Sequence, residues 1–164
     1  MKIAIISDTQ DNLINTQRAL EIINQSGAEA IIHCGDLCSP WILKELTSKF
    51  AGPIHLTFGN NDAEEFLFME WTKTEGQNAK FYKPMGELEL GGKKIAFTHY
   101  SVFGEGLAAT QKYDLVIYGH NHLKSEQLVG QTLLINPGSL CGIGQPASFA
   151  IYDSENNQVT FESI

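Results

Sequence analysis

Positive charge is scarce in this chain of 164 residues, in which lysine and arginine together number 11 against 19 aspartates and glutamates. Arg18 is the only arginine, and the formal net charge at pH 7 is −8. Proteins with a broad nucleic-acid surface need clustered cations to contact the phosphates. The composition therefore disfavours nucleic acid as a partner, although a small phosphate ester could still bind at a local positive site such as a metal ion.

Cysteine is also scarce, and long apolar runs are absent. The three cysteines are Cys34, Cys38 and Cys141, an odd number without the paired spacing of a zinc knuckle or a disulfide framework. We expect reduced thiols in a cytoplasmic protein, with Cys34 and Cys38 packed as small hydrophobic groups. The N-terminal apolar run, residues 3–6, is too short for a signal peptide, and no run has transmembrane length.

Composition shifts, internal repeats and low-complexity linkers are missing as well. Ordinary apolar content, 43%, and moderate charge place the chain among soluble globular proteins rather than disordered ones. A chain of this length can bury a sizeable core in one domain. We therefore predict one domain over residues 1–164, with no membrane partner.

The first half of the sequence alternates apolar, β-branched runs with helical periodicity. Strands are predicted over residues 2–7, 28–33 and 53–58, and helices over about 12–25, 40–50 and 63–75. Ser39 and Pro40 read as a cap and a first-turn proline. The third helix carries five large apolar side chains, which we expect mostly in the core and alternatively at an active-site rim or a subunit contact: Phe66, Leu67, Phe68, Met69 and Trp71.

The second half predicts three hairpins. Their strands are residues 88–90 with 93–98, 125–129 with 132–136, and 149–152 with 158–162, and Gly91-Gly92 forms the first turn. A short helix around residues 106–112 and a strand over 114–118 lie between the first two hairpins. We infer an α/β fold with two sheets face to face and helices on the outside.

Six polar residues follow predicted strands at their ends: Asp8, Asp36, Asn60, His99, His120 and His122. Ligands of open α/β sheets bind outside the carboxyl ends of the strands, so these side chains are expected to converge. Each one alone has an ordinary structural explanation: Asp8 could cap a helix, Asn60 could serve a turn, and His99 could be a core histidine. The stretch Tyr118-Gly119-His120-Asn121-His122 matters most, because its two imidazoles could each serve a different metal ion.

The donor types indicate the kind of metal. Carboxylate, amide oxygen and imidazole occur together without thiolate, a mixture that suits Mn, Fe, Zn or Ni. A structural zinc site would use cysteine, and a calcium site would use oxygen alone. Nearby residues have weaker assignments. His33 is expected near the site and His55 in a structural role, while Asp62 either orients a ligand or caps the following helix.

In order along the chain, Asp8-Thr9-Gln10, Gly35-Asp36, Gly59-Asn60, His99 and Gly119-His120-Asn121-His122 resemble the motifs of the calcineurin-like metallophosphoesterase superfamily. The compact length, Gly59-Asn60-Asn61-Asp62 and Asn136-Pro137-Gly138-Ser139 narrow the resemblance to its small bacterial and archaeal phosphodiesterases. The resemblance spans nearly the whole chain. It implies a four-layer α/β/β/α sandwich, the metallo-dependent phosphatase-like fold with two mixed sheets, and relatives that are often homodimers or homotetramers.

The resemblance also implies two divalent metal ions, most simply Mn, with Ni, Fe, Zn or Mg as alternatives. It assigns Asp8, Gln10, Asp36 and His122 to one metal, and Asp36, Asn60, His99 and His120 to the other. Asp36, Asn60 and His99 are then the candidate catalytic residues. A hydroxide held between the metals would attack a small phosphate ester in line. The loop over residues 136–139 either supports this site through backbone groups or is simply a turn.

Three positions depart from the family pattern. Gln10 stands where the first motif usually has histidine, and an amide oxygen is a weaker ligand than imidazole. Asn61 cannot act as the general acid that a histidine supplies in many members, which favours esters with good leaving groups. His99-Tyr100-Ser101 replaces His-Gly-His, and no arginine follows the loop over 136–139. Substrate positioning is therefore expected to differ.

Two functions from different classes follow. The first is a metal-dependent phosphodiesterase acting on a small phosphate ester. The second is a non-catalytic metal-binding or scaffold protein on the same fold, as in the metallophosphoesterase-like subunit of retromer, and Gln10 and Asn61 motivate it. A nucleic-acid exonuclease, also known in the superfamily, is disfavoured by the acidic balance and by the lack of additional domains.

Overall fold

Two β-sheets pack face to face in this protein, with helices on both outer surfaces, in a computed structural model that describes residues 1–164. The strands are β1 Lys2–Ile6, β2 Ala30–His33, β3 Ile54–Thr57, β4 Ala79–Tyr82, β5 Gly86–Leu90, β6 Lys93–Phe97, β7 Leu115–Ile117, β8 Ser125–Val129, β9 Thr132–Asn136, β10 Ser148–Asp153 and β11 Gln158–Ser163. The helices are α1 Leu13–Ser26, α2 Pro40–Lys49, α3 Glu65–Thr74 and α4 Ser101–Ala109.

Both sheets are mixed. The six-stranded sheet has the order β11-β10-β1-β2-β3-β4, with β1 to β4 parallel and β10 and β11 antiparallel to their neighbours. The five-stranded sheet has the order β5-β6-β7-β9-β8, in which β6, β7 and β9 are parallel and the edge strands are antiparallel. The four-layer sandwich implied by the resemblance is confirmed.

Three apolar layers hold these elements together. Between the sheets, Ile5 and Ile32 of one pack with Ile117 and Ile135 of the other. Outside the six-stranded sheet, α1, α2 and α3 cover a second layer that includes Leu20, Leu43 and Phe68. Outside the five-stranded sheet, Ala108 of α4 covers Val116 and Leu134. Because both faces of the central strands are covered, these strands read as continuous apolar runs.

The ends of the first two helices follow from particular residues. Asn12 caps α1 by accepting the backbone N–H of Asn15 at 3.0 Å, and Gly27 ends it with φ of 76°. Pro40 opens α2 as expected, and Ser39 occupies the predicted N-cap position, although its side chain does not cap a helix N–H. Its hydroxyl donates to Asp11 Oδ1 at 2.5 Å instead of accepting a helix N–H. None of the four helices has the length and apolar character needed to cross a bilayer.

The prediction that most large apolar residues of α3 lie in the core is wrong. Only Phe68 is buried, in contact with the rings of Phe58 and Phe81 at centroid distances of 6.2 and 5.6 Å. Phe66, Leu67 and Met69 are exposed. A helix on the outside of a sheet buries one face only, so apolar residues on its other faces remain in solvent.

The predicted start of α4 is also wrong, since the helix begins at Ser101 rather than near residue 106. Gly104 lies inside it and allows the helix to approach β7 closely. A Cβ at Gly104 would lie 3.0 Å from Tyr118 Cβ. The glycine therefore permits close packing of helix on sheet, and it does not mark a helix boundary. Strand β4, at the edge of the six-stranded sheet, was not predicted.

Candidate metal centre

The polar strand-end residues predicted from the sequence meet at one edge of the sandwich. Asp8, Asp36 and Asn60 follow β1, β2 and β3 of the six-stranded sheet, whereas His99, His120 and His122 follow β6 and β7 of the five-stranded sheet. One ligand atom each from Asp8, Asp36 and His99 lies within 4.8 Å of the other two. The two sheets therefore contribute to one group of side chains.

One set of contacts centres on His99. Its Nε2 lies 3.0 Å from Asn60 Oδ1, 3.2 Å from His120 Nδ1 and 3.5 Å from Asp36 Oδ1. Its Nδ1 lies 2.7 Å from the carbonyl oxygen of Cys34, which can only accept. The proton of a neutral imidazole therefore resides on Nδ1, and Nε2 presents a lone pair to the site.

A second set centres on Asp8 and His122. Asp8 Oδ1 lies 3.3 Å from His122 Nε2. Gln10 Nε2 lies 3.4 Å from the same ring nitrogen and 3.2 Å from Asp36 Oδ2. The Gln10 amide thus directs its NH₂ group at these two neighbours, and its oxygen would face a metal only after the amide turns.

Asp36 lies between the two sets. Its Oδ1 belongs to the set around His99, and its Oδ2 contacts Gln10 in the set around Asp8. Asn61 holds this carboxylate in place, because its backbone N–H donates to Oδ1 at 2.8 Å and its side-chain amide donates to Oδ2 at 2.7 Å. A carboxylate presented in this way can offer one oxygen to each of two cations.

The donors fit a divalent cation. Asp8 Oδ1 is buried and accepts no hydrogen bond, although Oδ2 accepts from the Ser7 hydroxyl at 2.6 Å and from the His120 backbone at 3.0 Å. Burial raises the pKa of Asp8, and these hydrogen bonds lower it only in part. No lysine or arginine pairs with Asp8 or Asp36. A buried carboxylate without a lysine or arginine partner is stabilised when it coordinates a metal.

Asp62 joins two of the ligand-bearing loops. Its Oδ2 accepts the backbone N–H groups of Asp36 and Gly59 at 2.9 and 2.7 Å, and its Oδ1 accepts that of Cys38 at 2.8 Å. Burial raises the pKa of Asp62, while the three N–H groups act in the opposite direction. Of the two roles expected for Asp62, capping α3 is wrong because Glu64 is at that position, and these hydrogen bonds favour the other role, orienting the candidate ligand Asp36.

His33 lies under the same loops, as expected. Its Nδ1 accepts the backbone N–H of Gly35 at 3.1 Å, and its Nε2 lies 3.2 Å from Thr9 Oγ1. Burial lowers the pKa of His33 to about 3. A neutral ring with one acceptor and one donor nitrogen fits both bonds. His55 lies elsewhere and pairs with the hydroxyl of Tyr82 at 3.0 Å, in agreement with a structural role.

The end of β9 and the loop after it contact the site, and they do so mainly through side chains rather than through the expected backbone groups. The Asn136 amide donates to the Gly119 carbonyl at 3.1 Å and to Asn121 Oδ1 at 2.7 Å, which fixes the loop bearing both histidines. The hydroxyl of Ser139 and the backbone N–H of Cys141 bind the Asp8 carbonyl at 3.0 and 2.8 Å. This loop therefore connects the ligands of the two sheets.

Cys141 is a site neighbour that the sequence reasoning missed. Its thiol lies 3.7 Å from His122 Nδ1, on the side of the ring away from Asp8. The Ser139 hydroxyl lies 2.9 Å from the sulfur. Its position two residues after the loop over 136–139 was the available signal. Cys34 is buried as expected, and burial raises the pKa of its thiol, whereas Cys38 is half-buried.

Left-handed backbone recurs at the candidate ligand residues. The φ angles are 52° at Asp8, 41° at Gln10, 60° at Asp36, 72° at His120 and 62° at His122. Non-glycine residues rarely adopt this region, and clusters of them are typical of functional sites. The chain turns sharply at each of these residues, in the loops that follow β1, β2 and β7.

Two glycines leave room for the ligands. A Cβ at Gly59 would lie 2.1 Å from Asp36 Oδ1, and a Cβ at Gly119 would lie 2.0 Å from Ser7 Oγ and 2.7 Å from Asp8 Oδ2. Side chains at these positions would push the carboxylates out of place. This close approach explains why Gly precedes Asn60 in one motif and His120 in another.

Comparison with known proteins gives one consistent family. The family model described as "Calcineurin-like phosphoesterase superfamily domain" matches residues 1–157. The chain is 37% identical over 162 residues to "Phosphodiesterase MJ0936" of Methanocaldococcus jannaschii, covering 96% of each protein. It is 28% identical over 171 residues to "Phosphodiesterase YfcE" of Escherichia coli K12, covering 94% of this chain and 89% of that protein.

Solved structures with the same fold support this family relationship. A structure described as that of a novel archaeal phosphodiesterase superposes with a TM-score of 0.93 at 34% identity, over the full length of both chains. A Vps29 variant from Entamoeba histolytica also matches, with a TM-score of 0.72 over 100% of this chain and 98% of that one. At 17% identity the Vps29 likeness shows the fold alone.

Proposed function

Because the chain belongs to the calcineurin-like phosphoesterase superfamily and is a metal-dependent phosphodiesterase, we propose that it uses two divalent metal ions to hydrolyse a small phosphate ester. Asp8, Gln10, Asp36 and His122 would hold one ion, and Asp36, Asn60, His99 and His120 the other. The observation that carries this proposal is the Asp36 carboxylate, whose two oxygens belong to different ligand sets.

The bound ions would supply positive charge for the phosphoryl group and lower the pKa of an attacking water molecule. The chain's own residues position that chemistry. Asn61 fixes the Asp36 carboxylate by two hydrogen bonds, and Asp8 and His122 approach each other across the first site. Asp36, Asn60 and His99 are the catalytic residues of this proposal, because they present ligand atoms at the reacting centre.

The leaving group receives little help from the protein. Asn61 cannot supply a proton as a general acid, and its amide is engaged with Asp36. Esters whose leaving groups depart without protonation are therefore the preferred substrates. Asn60, Asn61 and His120 are exposed, so the substrate enters from their side of the site. A net charge of −8 selects against large polyanions.

Mn is the metal we propose, since carboxylate, amide and imidazole donors suit it, with Ni, Fe, Zn or Mg as the alternatives. Cytoplasmic location is part of the same proposal, and three free cysteines suit a reducing compartment. A non-catalytic scaffold role has one supporting observation. The Gln10 amide directs its NH₂ group, which cannot bind a metal, at Asp36 and His122.

Turnover of an activated aryl phosphodiester separates the two functions. With Mn²⁺, we expect hydrolysis by the wild type and a loss of about 100-fold or more in Asp36→Ala and His120→Ala. His55→Gln is the matched histidine control outside the site and should retain the wild-type rate. Absence of turnover with every divalent metal would overturn the catalytic proposal and favour the scaffold.

Residue 10 can be tested separately. Gln10→His replaces an amide with an imidazole, so it should lower the Mn²⁺ concentration needed for half-maximal activity. Calorimetric titration with Mn²⁺ should show the same change in the weaker of two sites. A titration identical to that of the wild type would show that residue 10 does not contact the metal.

A further inference from the structure

An aromatic ring that no sequence motif assigned stands beside the candidate metal ligands. The ring centroid of Tyr100 lies 5.1 Å from that of His99 and 5.1 Å from that of His120. The interplanar angles are 77° and 60°. Tyr100 is half-buried and follows His99 directly, so its position is fixed by the end of β6.

Tyr100 already has aromatic neighbours, but none is parallel to it. Phe103 meets it edge-on, with centroids 5.8 Å apart and an interplanar angle of 86°. All three rings around Tyr100 therefore make steep contacts, and no ring is stacked on it. A flat group of a ligand that enters beside the exposed His120 would lie parallel to the Tyr100 ring, a contact that none of these three rings makes.

The apolar surface continues beyond Tyr100. In the first turn of α4, Val102 and Phe103 are 66% and 54% exposed. They line a cleft of about 390 Å³ together with Met85 and Leu107, among others. None of the candidate ligands lines this cleft, and Phe103 is the residue that connects it to the site, through its contact with Tyr100. Exposed apolar residues beside a cleft are typical of a binding surface.

Charge near the site points in the same direction. No lysine or arginine hydrogen-bonds or pairs with the residues of the two ligand sets. The positive charge that the phosphoryl group of the substrate needs would therefore come from the proposed metals. The protein offers no cationic side chain in these sets to a second anionic group of the substrate. A substrate group beside the phosphoryl group, on the side of His120, would meet the ring of Tyr100, which favours an apolar and flat group.

Resting on the proposed function, we propose that Tyr100 determines substrate specificity by stacking on an aromatic ring, an aryl group or a nucleobase, next to the phosphoryl group of the ester. Phe103 contacts the Tyr100 ring edge-on. A stacked ring strengthens binding by about 5- to 150-fold. Tyr100 replaces the glycine of His-Gly-His, so relatives with that glycine lack the stacking surface.

Binding of two inert phosphonates to the Mn²⁺-loaded protein tests this inference by calorimetry. Phenylphosphonate and methylphosphonate share the anionic group and differ in the ring. We expect the wild type to prefer the phenyl compound by about 5- to 150-fold. Tyr100→Phe should keep this preference and Tyr100→Ala should lose most of it, while binding of methylphosphonate changes little in either. Leu128→Ala removes an exposed apolar residue of β8 and should behave as the wild type.

The outcomes separate the inference from the function on which it rests. Equal binding of both phosphonates by the wild type, or a phenyl preference that persists in Tyr100→Ala, overturns the role of Tyr100 alone. Loss of methylphosphonate binding in Tyr100→Ala would show that the ring merely orients His99 and His120. If neither compound binds the loaded wild type, the phosphoryl site itself is wrong.

The chemical source of the ring is decided by a second pair of probes. Adenosine 5′-monophosphate and ribose 5-phosphate share the sugar and the phosphate, and a hydroxyl replaces the nucleobase in the second. Tighter binding of the nucleotide that disappears in Tyr100→Ala would identify a nucleobase. Equal binding of this pair, with the phenyl preference retained, would identify a simple aryl group.

Discussion

Single residues that contact no substrate hold the candidate ligands in place. Asp62 is the clearest example, because three backbone N–H groups from two ligand loops converge on its carboxylate. Its own neighbour Asn61 binds Asp36 directly. The Asp36 loop is thus fixed through both its backbone and its side chain, which limits how far the Asp36 carboxylate can move.

Removal of the Asp62 carboxylate should weaken metal binding. We expect Asp62→Ala to lower Mn²⁺ affinity by about 10- to 100-fold, as for other residues that orient ligands. Calorimetric titration measures the change, and circular dichroism checks that the variant is folded. Asp114→Ala is the matched control, since Asp114 accepts the backbone N–H of Lys94 at 2.8 Å but lies outside the site. Equal Mn²⁺ affinities of the two variants would contradict this role of Asp62.

Gly59 and Gly106 form a second comparison at the residue scale. A Cβ at Gly59 would collide with Asp36 Oδ1, whereas a Cβ at Gly106 in α4 would meet nothing within 4 Å. Gly59→Ala should therefore abolish tight Mn²⁺ binding. Gly106→Ala should raise the free energy of unfolding by about 0.5–1 kcal/mol, because alanine favours a helix. Urea denaturation and metal titration of both variants would show this contrast, and tight binding by Gly59→Ala would contradict it.

Helix α3 shows how an element can be rich in apolar residues and still bury few of them. Phe66 is 73% exposed, although Phe68, two positions away, is fully buried. Successive residues of a helix point in different directions, and only one stripe of α3 meets the sheet. The remaining apolar residues fit the alternative of a rim or a subunit contact, and homodimers or homotetramers stay a prediction.

This difference within α3 can be measured. Phe68→Ala should lower the free energy of unfolding by about 3–5 kcal/mol, because it leaves a cavity in the core. Phe66→Ala should change it by no more than about 0.5 kcal/mol. Urea denaturation of the two variants gives both numbers. Similar losses in both would mean that Phe66 is covered in solution.

The sequence predicted the elements whose patterns are local. Apolar runs that end in Asp8, Asp36 or His99 identified both the strands and the site, because parallel strands end at one edge. The burial of α3 residues and the start of α4 could not be predicted in this way. They depend on which face of a helix meets a sheet and on how closely Gly104 lets it approach. Tyr100 and Cys141 contact His120 and His122, which are distant in sequence, so spacing alone could not assign them.

At the scale of the molecule, the candidate metal centre joins the two sheets. Asp8, Asp36 and Asn60 follow strands of the six-stranded sheet, and the three histidines follow strands of the five-stranded sheet. The loop after β9 adds a second connection through Ser139 and Asp8. Metals at this edge would therefore stabilise the packing of one sheet on the other, besides serving catalysis.

Metal binding should therefore raise the melting temperature. At a free Mn²⁺ concentration 100 times the dissociation constant, the gain is about 2.7 kcal/mol, or roughly 5–10 °C for a chain of this size. Differential scanning calorimetry with and without a chelator measures it. Asp36→Ala should show a much smaller difference, and a wild-type melting temperature indifferent to the chelator would contradict the proposed centre.

The left-handed backbone of the ligand residues has a consequence for protein engineering. Asp8, Asp36, His120 and His122 each adopt a conformation that glycine adopts without strain. A directed-evolution experiment that selects for heat resistance in the absence of metal would therefore enrich glycine at these positions. The most thermostable descendants would retain the sandwich and lose the chemistry, because selection for stability alone rewards removal of the residues that define the site.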